Sequence, residues 1–281
     1  MSESFALAAD QLRALDQDRY AASLVIPTAR RAAVQSIFAF SAEIAAIRER
    51  VSEPTPGEIR LQWWVDAIEG EGHGAIASNP VADALFRTLE RYELPSGPLL
   101  RLLAARRFDL YHDAMPDIGQ FEGYAGETVS VLYQYAAMIL AGGPVDQAAD
   151  AAGHLGVAQA LAGHVRAFGY NASRGQLFLP LALFTANGVR EADIYAGKDS
   201  EGLRAALTQA GELAQTHAEK AGHAISKLDA GIRPGFASLA LVRADIRALG
   251  RQIDQPFTAL PAPTAFSRLS SVIWWMLRNG R

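Results

Sequence analysis

The chain has 281 residues, of which 50% are hydrophobic, 20% charged and 9% aromatic, a globular composition with ample material for a sizeable core. Its 26 basic and 30 acidic residues leave a formal charge of −4. A mildly acidic chain is a poor general binder of nucleic acid, so no nucleic-acid partner is expected. With no cysteine, disulfides, thiol nucleophiles and cysteine-held iron–sulfur or zinc sites are excluded, which is compatible with a reducing compartment.

Met1-Ser2-Glu3-Ser4 carries no basic region before its short apolar run, so no secretory signal is expected. No stretch approaches ~18 uninterrupted apolar residues. The expectation is a cytoplasmic protein, with peripheral contact at the inner face of a membrane left open.

In chain order, Val34, Ile37, Phe38, Ser41, Ile44 and Ala45 fall at helical spacing and predict a helix over 28–50. Ser52 to Gly57, with Pro54 and Pro56, is read as its end. A second helix is predicted from Glu58 to Glu69, then a loop from Gly70 to Pro80. Further helices are expected at about 81–93, 97–113, 121–141, 146–168, 199–228 and 234–251, with Pro95, Pro116, Gly142-Gly143-Pro144 and Pro180 in the breaks. No alternating run bounded by hairpin turns occurs, so the chain reads as all-α. No solenoid repeat or long linker divides it, and a single domain over 1–281 is expected.

The last element spans 264–281. Leu269, Val272, Ile273 and Met276 form an i, i+3, i+4, i+7 stripe widened by Trp274, Trp275 and Leu277, with Arg268, Arg278 and Arg281 around it. Such an amphipathic helix suits a membrane surface or the closing position of a bundle, and core packing is the favoured reading.

Generic catalytic signals are scarce. The histidines at 73, 112, 154, 164, 217 and 223 make no His-Glu-x-x-His pattern, and there is no phosphate loop or nucleophile elbow. His154 and His164 share a predicted helix but point about 80° apart. All six are read as structural or surface residues.

Four segments say more together than singly: Asp18-Arg19-Tyr20 with Ala29-Arg30-Arg31; Arg60-Leu61-Gln62-Trp63-Trp64; Tyr124-Ala125-Gly126-Glu127-Thr128; and His154 through Arg166 to Arg174-Gly175 and Leu179-Pro180. In this order and spacing the chain resembles the squalene/phytoene synthase family over roughly residues 10–280. The resemblance implies an all-α isoprenoid-synthase-type helical bundle around a central apolar cavity. It implies cavity lining by Phe40, Trp63, Tyr124, Thr128, Gln159 and Tyr170, although large aromatic side chains are also able to fill such a space.

Working members of that family join two prenyl diphosphates head to head, with two aspartate-rich helix segments holding Mg²⁺ against the leaving diphosphate. Mg²⁺ is a hard cation that wants carboxylate oxygens. The resemblance places Ala45, Ala46 and Glu49 at the first segment's aspartate positions, and Ala167 and Asn171 at the second's, with Tyr170 between them. Only Glu49 is a carboxylate. Glu43 lies about 200° around the helix from Ala45 and is expected to face elsewhere. Glu122 and Glu127 lie on another helix.

Phe40-Ser41-Ala42-Glu43-Ile44, Val51-Ser52-Glu53 and Arg166-Ala167-Phe168-Gly169-Tyr170 resemble one branch of the family. It is the branch that contains the mitochondrial assembly factor for respiratory complex I and lacks the same aspartates. Two readings follow. The first is a non-catalytic protein that acts with a protein partner in assembly of a respiratory NADH dehydrogenase, with a prenyl or lipid chain as a candidate ligand and no cofactor. The second is a Mg²⁺-dependent prenyl-diphosphate transferase built on Glu49, Glu122 or Glu127. Gly169 to Gly175 is expected to break the helix, leaving Arg166 and Arg174 to bind an anion without metal.

Overall fold

Two helices that hydrophobic periodicity does not mark open the chain. The computed structural model describes residues 3–71 and 76–280, so His73 and Arg281 lie outside the described residues. Helix α1 (Glu3–Leu15) buries only Ala8 and Leu12, a stripe too narrow to read from sequence. Helix α2 (Gln17–Ser23) starts where the Asp16 carboxylate accepts the Arg19 amide at 2.9 Å. Helix α3 (Thr28–Ala45) is the first central rod, buried continuously from Ala33 to Ala42. It stops five residues before the predicted end and tightens into a 3₁₀ turn over Ile47–Arg50.

The Ser52–Gly57 segment is not wholly a break. Helix α4 (Pro54–Glu69) begins at Pro54, because proline in a first turn lacks only an amide that would go unpaired. Helices α5 (Pro80–Arg91) and α6 (Gly97–Arg106) follow, α6 ending in a 3₁₀ turn at Arg107–Leu110. The predicted helix at 121–141 is three pieces: α7 (Ile118–Ala125), a π-helical turn at Gly126–Ser130, and α8 (Val131–Ala141). The wide turn lies against helix α9 (Ala149–Arg166) at Gly156, where an added Cβ would sit 2.1 Å from Ser130 Oγ and 2.6 Å from its amide nitrogen.

The predicted break at 169–175 is corrected. The chain turns at Ala167 and continues as helix α10 (Phe168–Ser173), and the true stop is Gly175, whose φ of +67° favours glycine. Two short helices, α11 (Leu181–Ala186) and α12 (Glu191–Tyr195), precede the longest element, α13 (Glu201–Ser226). Ala206, Ala210, Ala214, Ala218 and Ala221 are fully buried along α13, and this small-residue ladder lets α9 approach closely. Helix α14 (Ser238–Asp254) packs on both α9 and α13. Among the described residues there is no strand.

Helix α15 (Ala265–Asn279) closes the bundle against α2 and α14. Its apolar stripe is divided. Val272 and Trp275 are buried, while Phe266 (81% exposed), Ile273 (53%) and Leu277 (69%) face out. The sequence stripe grouped Ile273 with Val272, which the seated helix separates.

The bundle centre is filled with aromatic rings. Phe38 meets Tyr133 edge-on at 6.1 Å, and Tyr133 stacks on Phe236 at 6.0 Å. Phe40 is wholly buried against Trp64 at 5.0 Å, and Trp63 packs edge-on to the same indole.

Candidate functional site

What remains open is a cavity of about 340 Å³ bounded by α2, α3, α7, α9, α10 and α14. This volume falls at the low end of small-molecule sites. Of the residues expected to line it, Tyr124, Thr128, Gln159 and Tyr170 do so. Phe40 and Trp63 do not: both are spent on packing α3 against α4. The wall is also more polar than expected, since Arg19, Arg48, Arg106 and Arg166 all reach it, with Asp18, Asp109 and Asp245 between them.

Ala45, Ala167 and Asn171 line this cavity, while Ala46 caps α3 outside it and Glu49 stands at the rim beside Tyr170. Arg48, which nothing in the sequence marked, joins the two segments. Its Nη2 donates to Asn171 Oδ1 at 2.8 Å, and its Nε donates to Glu49 Oε1 at 2.8 Å. Its guanidinium also lies over the Phe178 ring at 4.7 Å. Glu49 accepts a further hydrogen bond from the Tyr170 hydroxyl and pairs with Arg174 Nη1 at 3.6 Å. Burial would raise the Glu49 carboxyl, but the hydrogen bonds from Tyr170 and Arg48 and the nearby positive charges hold it below its usual range.

A guanidinium thus occupies the space between the segments, and the single carboxylate is already engaged. These residues do not fit a magnesium cluster: two alanines offer no ligand, Asn171 offers a neutral amide, and Arg48 repels a dication. Glu43 faces away, accepting from Gln11 and Asn79. Glu122 and Glu127 line a different cavity, beside His154 and His217. Among the described residues, no three His, Asp or Glu side chains are grouped to hold a metal ion.

Arg166 and Arg174 both have carboxylate partners. Arg166 Nη1 donates to both Asp245 carboxylate oxygens at 3.0 Å and lies 3.7 Å from Asp18. Asp18 also takes Arg268 of α15 at 2.5 Å, so one ionic network ties α2, α9, α14 and α15 together. Burial pushes the Asp245 carboxyl up, partly offset by Arg166. Beyond this network a second cavity of about 280 Å³ opens between α14 and α15.

The cavity floor is a buried triad. The Tyr124 hydroxyl donates to Asp109 Oδ1 at 2.5 Å, while Arg106 Nη1 donates to Asp109 Oδ2 at 2.8 Å and to the Tyr124 oxygen at 2.9 Å. Burial raises the Tyr124 phenol, so it stays a neutral donor. Next to it, His164 stacks on Phe178 at 4.7 Å. Burial, with Arg48 and Arg106 adding to it, lowers this imidazole to about 3, so it is uncharged at neutral pH. The cavity can therefore hold an anionic group through fixed arginines.

The family model for squalene/phytoene synthase matches residues 12–270. A relative from Rattus norvegicus, NADH dehydrogenase (ubiquinone) complex I assembly factor 6, is 30% identical over 259 residues, covering 89% of this chain and 77% of that protein. Its counterpart from Homo sapiens is 31% identical over 211 residues, covering 75% of this chain and 63% of its own length. Among solved structures, a dehydrosqualene synthase in complex with ligand superposes with a TM-score of 0.77 at 17% identity, covering 98% and 97% of the two chains. That likeness concerns the fold.

Proposed function

Because the chain belongs to the squalene/phytoene synthase family, we propose that it is a member whose diphosphate-ionising site has become an arginine-held anion site, and that it acts in assembly of a respiratory NADH dehydrogenase. The observation that carries this reading is Arg48, bonded to both Asn171 and Glu49 where a catalytic member needs a metal cluster. The assembly role is drawn from the rat and human relatives, of which the chain spans 77% and 63%. Loss of metal chemistry on a kept scaffold agrees with that role, since a scaffold serves through its surface and a bound ligand rather than through turnover.

In this reading the ligand is a prenyl or lipid molecule held by its anionic head on Arg19, Arg48 and Arg166, without magnesium. Arg174 adds charge at the rim. Entry of an anion competes with Asp245 and Glu49 for these arginines, so binding is weak and weakens further with salt. The exposed face of α15, together with Leu7 and Leu15 of α1, supplies apolar surface for a protein partner or for peripheral contact with the inner face of a membrane. No helix among the described residues is long and apolar enough to cross a membrane.

The test is genetic. Deletion of the gene should lower the amount of assembled NADH dehydrogenase, measured as NADH oxidation by membranes and as intact complex on native gels, and the wild-type chain should restore it. Unchanged dehydrogenase in the deletion strain would overturn the assembly role. The catalytic alternative predicts instead a lost prenyl product with the dehydrogenase intact.

A further inference from the structure

Away from the central cavity, two histidines far apart in sequence meet face to edge. His154 lies on α9 and His217 on α13, and their Nδ1 atoms are 3.1 Å apart with the rings inclined at 67°. Two imidazole nitrogens bound to one tetrahedral zinc, each at ~2.05 Å, are separated by about 3.3 Å. The observed spacing needs only a few tenths of an ångström of adjustment.

The surroundings fix the chemistry of the pair. Glu122 Oε1, from α7, lies 3.3 Å from His217 Nε2. A carboxylate there holds the proton on Nε2 and leaves the Nδ1 lone pair of His217 facing His154, the arrangement that orients metal-bound imidazoles. His154 must then carry its proton on Nδ1 and donate it to His217. Both rings border an open cavity of about 430 Å³ that Asp150, one turn before His154 on α9, also lines. The alanine ladder of α13 against α9 holds the two rings at this spacing.

We propose that His154 and His217 form a binding site for a borderline divalent transition metal of the zinc type, bound through both Nδ1 atoms with Glu122 orienting His217. The remaining positions are filled by water or by rotation of Asp150, because no third ligand is already drawn in. When the metal binds, His154 loses its Nδ1 proton and takes one on Nε2, so two neutral imidazoles bind without net proton release. Imidazole ligands disfavour magnesium, which selects oxygen, so this site discriminates against the cation of the family's chemistry. The proposal is independent of what the central cavity does.

The test is titration calorimetry of the full chain with zinc chloride at pH 7.5, with magnesium chloride as control. The expected result is one zinc per chain and no magnesium binding. His154→Ala and His217→Ala should each weaken zinc at least tenfold, and Glu122→Gln should weaken it about 10–100-fold. Circular dichroism confirms that the variants are folded, and imidazole nitrogen shifts should report zinc on Nδ1 of both rings in the wild type. His223→Ala, which alters a residue bordering a neighbouring cavity with His154, should leave affinity unchanged. Zinc binding that survives His217→Ala, or is lost in His223→Ala alone, overturns the site. Absence of saturable binding up to about 1 mM zinc, where binding would be worth only ~4 kcal/mol, overturns it as well and leaves the pair as a structural hydrogen bond.

Discussion

Replacing His164 should make the protein less sensitive to acid. The imidazole packs against Phe121 and Phe178 at the cavity wall, and burial with the nearby Arg48 and Arg106 holds it at about 3, against 6.5 for the free side chain. The folded form is therefore neutral, while the unfolded chain takes up a proton once the pH falls below 6.5. Between those two values the unfolded state binds one more proton, so stability drops as pH drops. The limiting slope is about 1.4 kcal/mol per pH unit. Integrated from pH 7 to pH 5, the loss due to this residue is about 2 kcal/mol, a large share of a typical stability of ~5–15 kcal/mol. Urea unfolding at pH 7 and pH 5 measures it, comparing the wild type with His164→Phe and His164→Gln. The carboxylates titrate in all three chains, so their contribution cancels. Both variants should lose about 2 kcal/mol less than the wild type over this interval. Equal losses in all three would show that the imidazole takes up its proton without unfolding, and would refute its depressed pKa in the fold.

Gly156→Ala should destabilise the chain by ~1–3 kcal/mol or more in chemical unfolding, since its Cβ meets Ser130 backbone at 2.6 Å. Gly153→Ala on the same helix meets nothing within 4 Å and should stabilise by about 0.5–1 kcal/mol. Tyr124→Phe removes the donor to Asp109 and should cost ~1–3 kcal/mol, whereas Asp109→Ala strands Arg106 and should cost ~3–5 kcal/mol, both read from thermal or urea unfolding. Arg48→Met should abolish magnesium-independent pyrophosphate binding in calorimetry, whereas unchanged binding would place the anion elsewhere.

The all-α class and most rods were legible because buried positions such as Ile37, Phe38 and Ile44 recur at helical spacing. The missed elements had weak signals for physical reasons. Helix α1 buries two residues, and α10 to α12 are five or six residues long, too short for periodicity to register. Pro54 misled because proline stops a helix from within but also suits a first turn, and here it opens α4. At the site, Tyr124, Thr128, Gln159 and Tyr170 were reachable through family resemblance, which carries position but not rotamer. Arg48 was not, because its role arises from Asn171, more than a hundred residues away. The same holds for His154 and His217, which only the packing of α9 on α13 brings together. The partners of Arg166 and Arg174 were not legible either, because Asp245 and Glu49 come from other elements.

Arg48, bonded to Asn171 and Glu49, stands in place of metal chemistry. Purified chain, magnesium, and farnesyl or geranylgeranyl diphosphate, with diphosphate release followed over time, tests it most directly. The account predicts no magnesium-dependent release by the wild type, and none by Glu49→Gln. Release at a rate of enzymes in general, on the order of 1 s⁻¹, that requires magnesium and is lost in Glu49→Gln would contradict it.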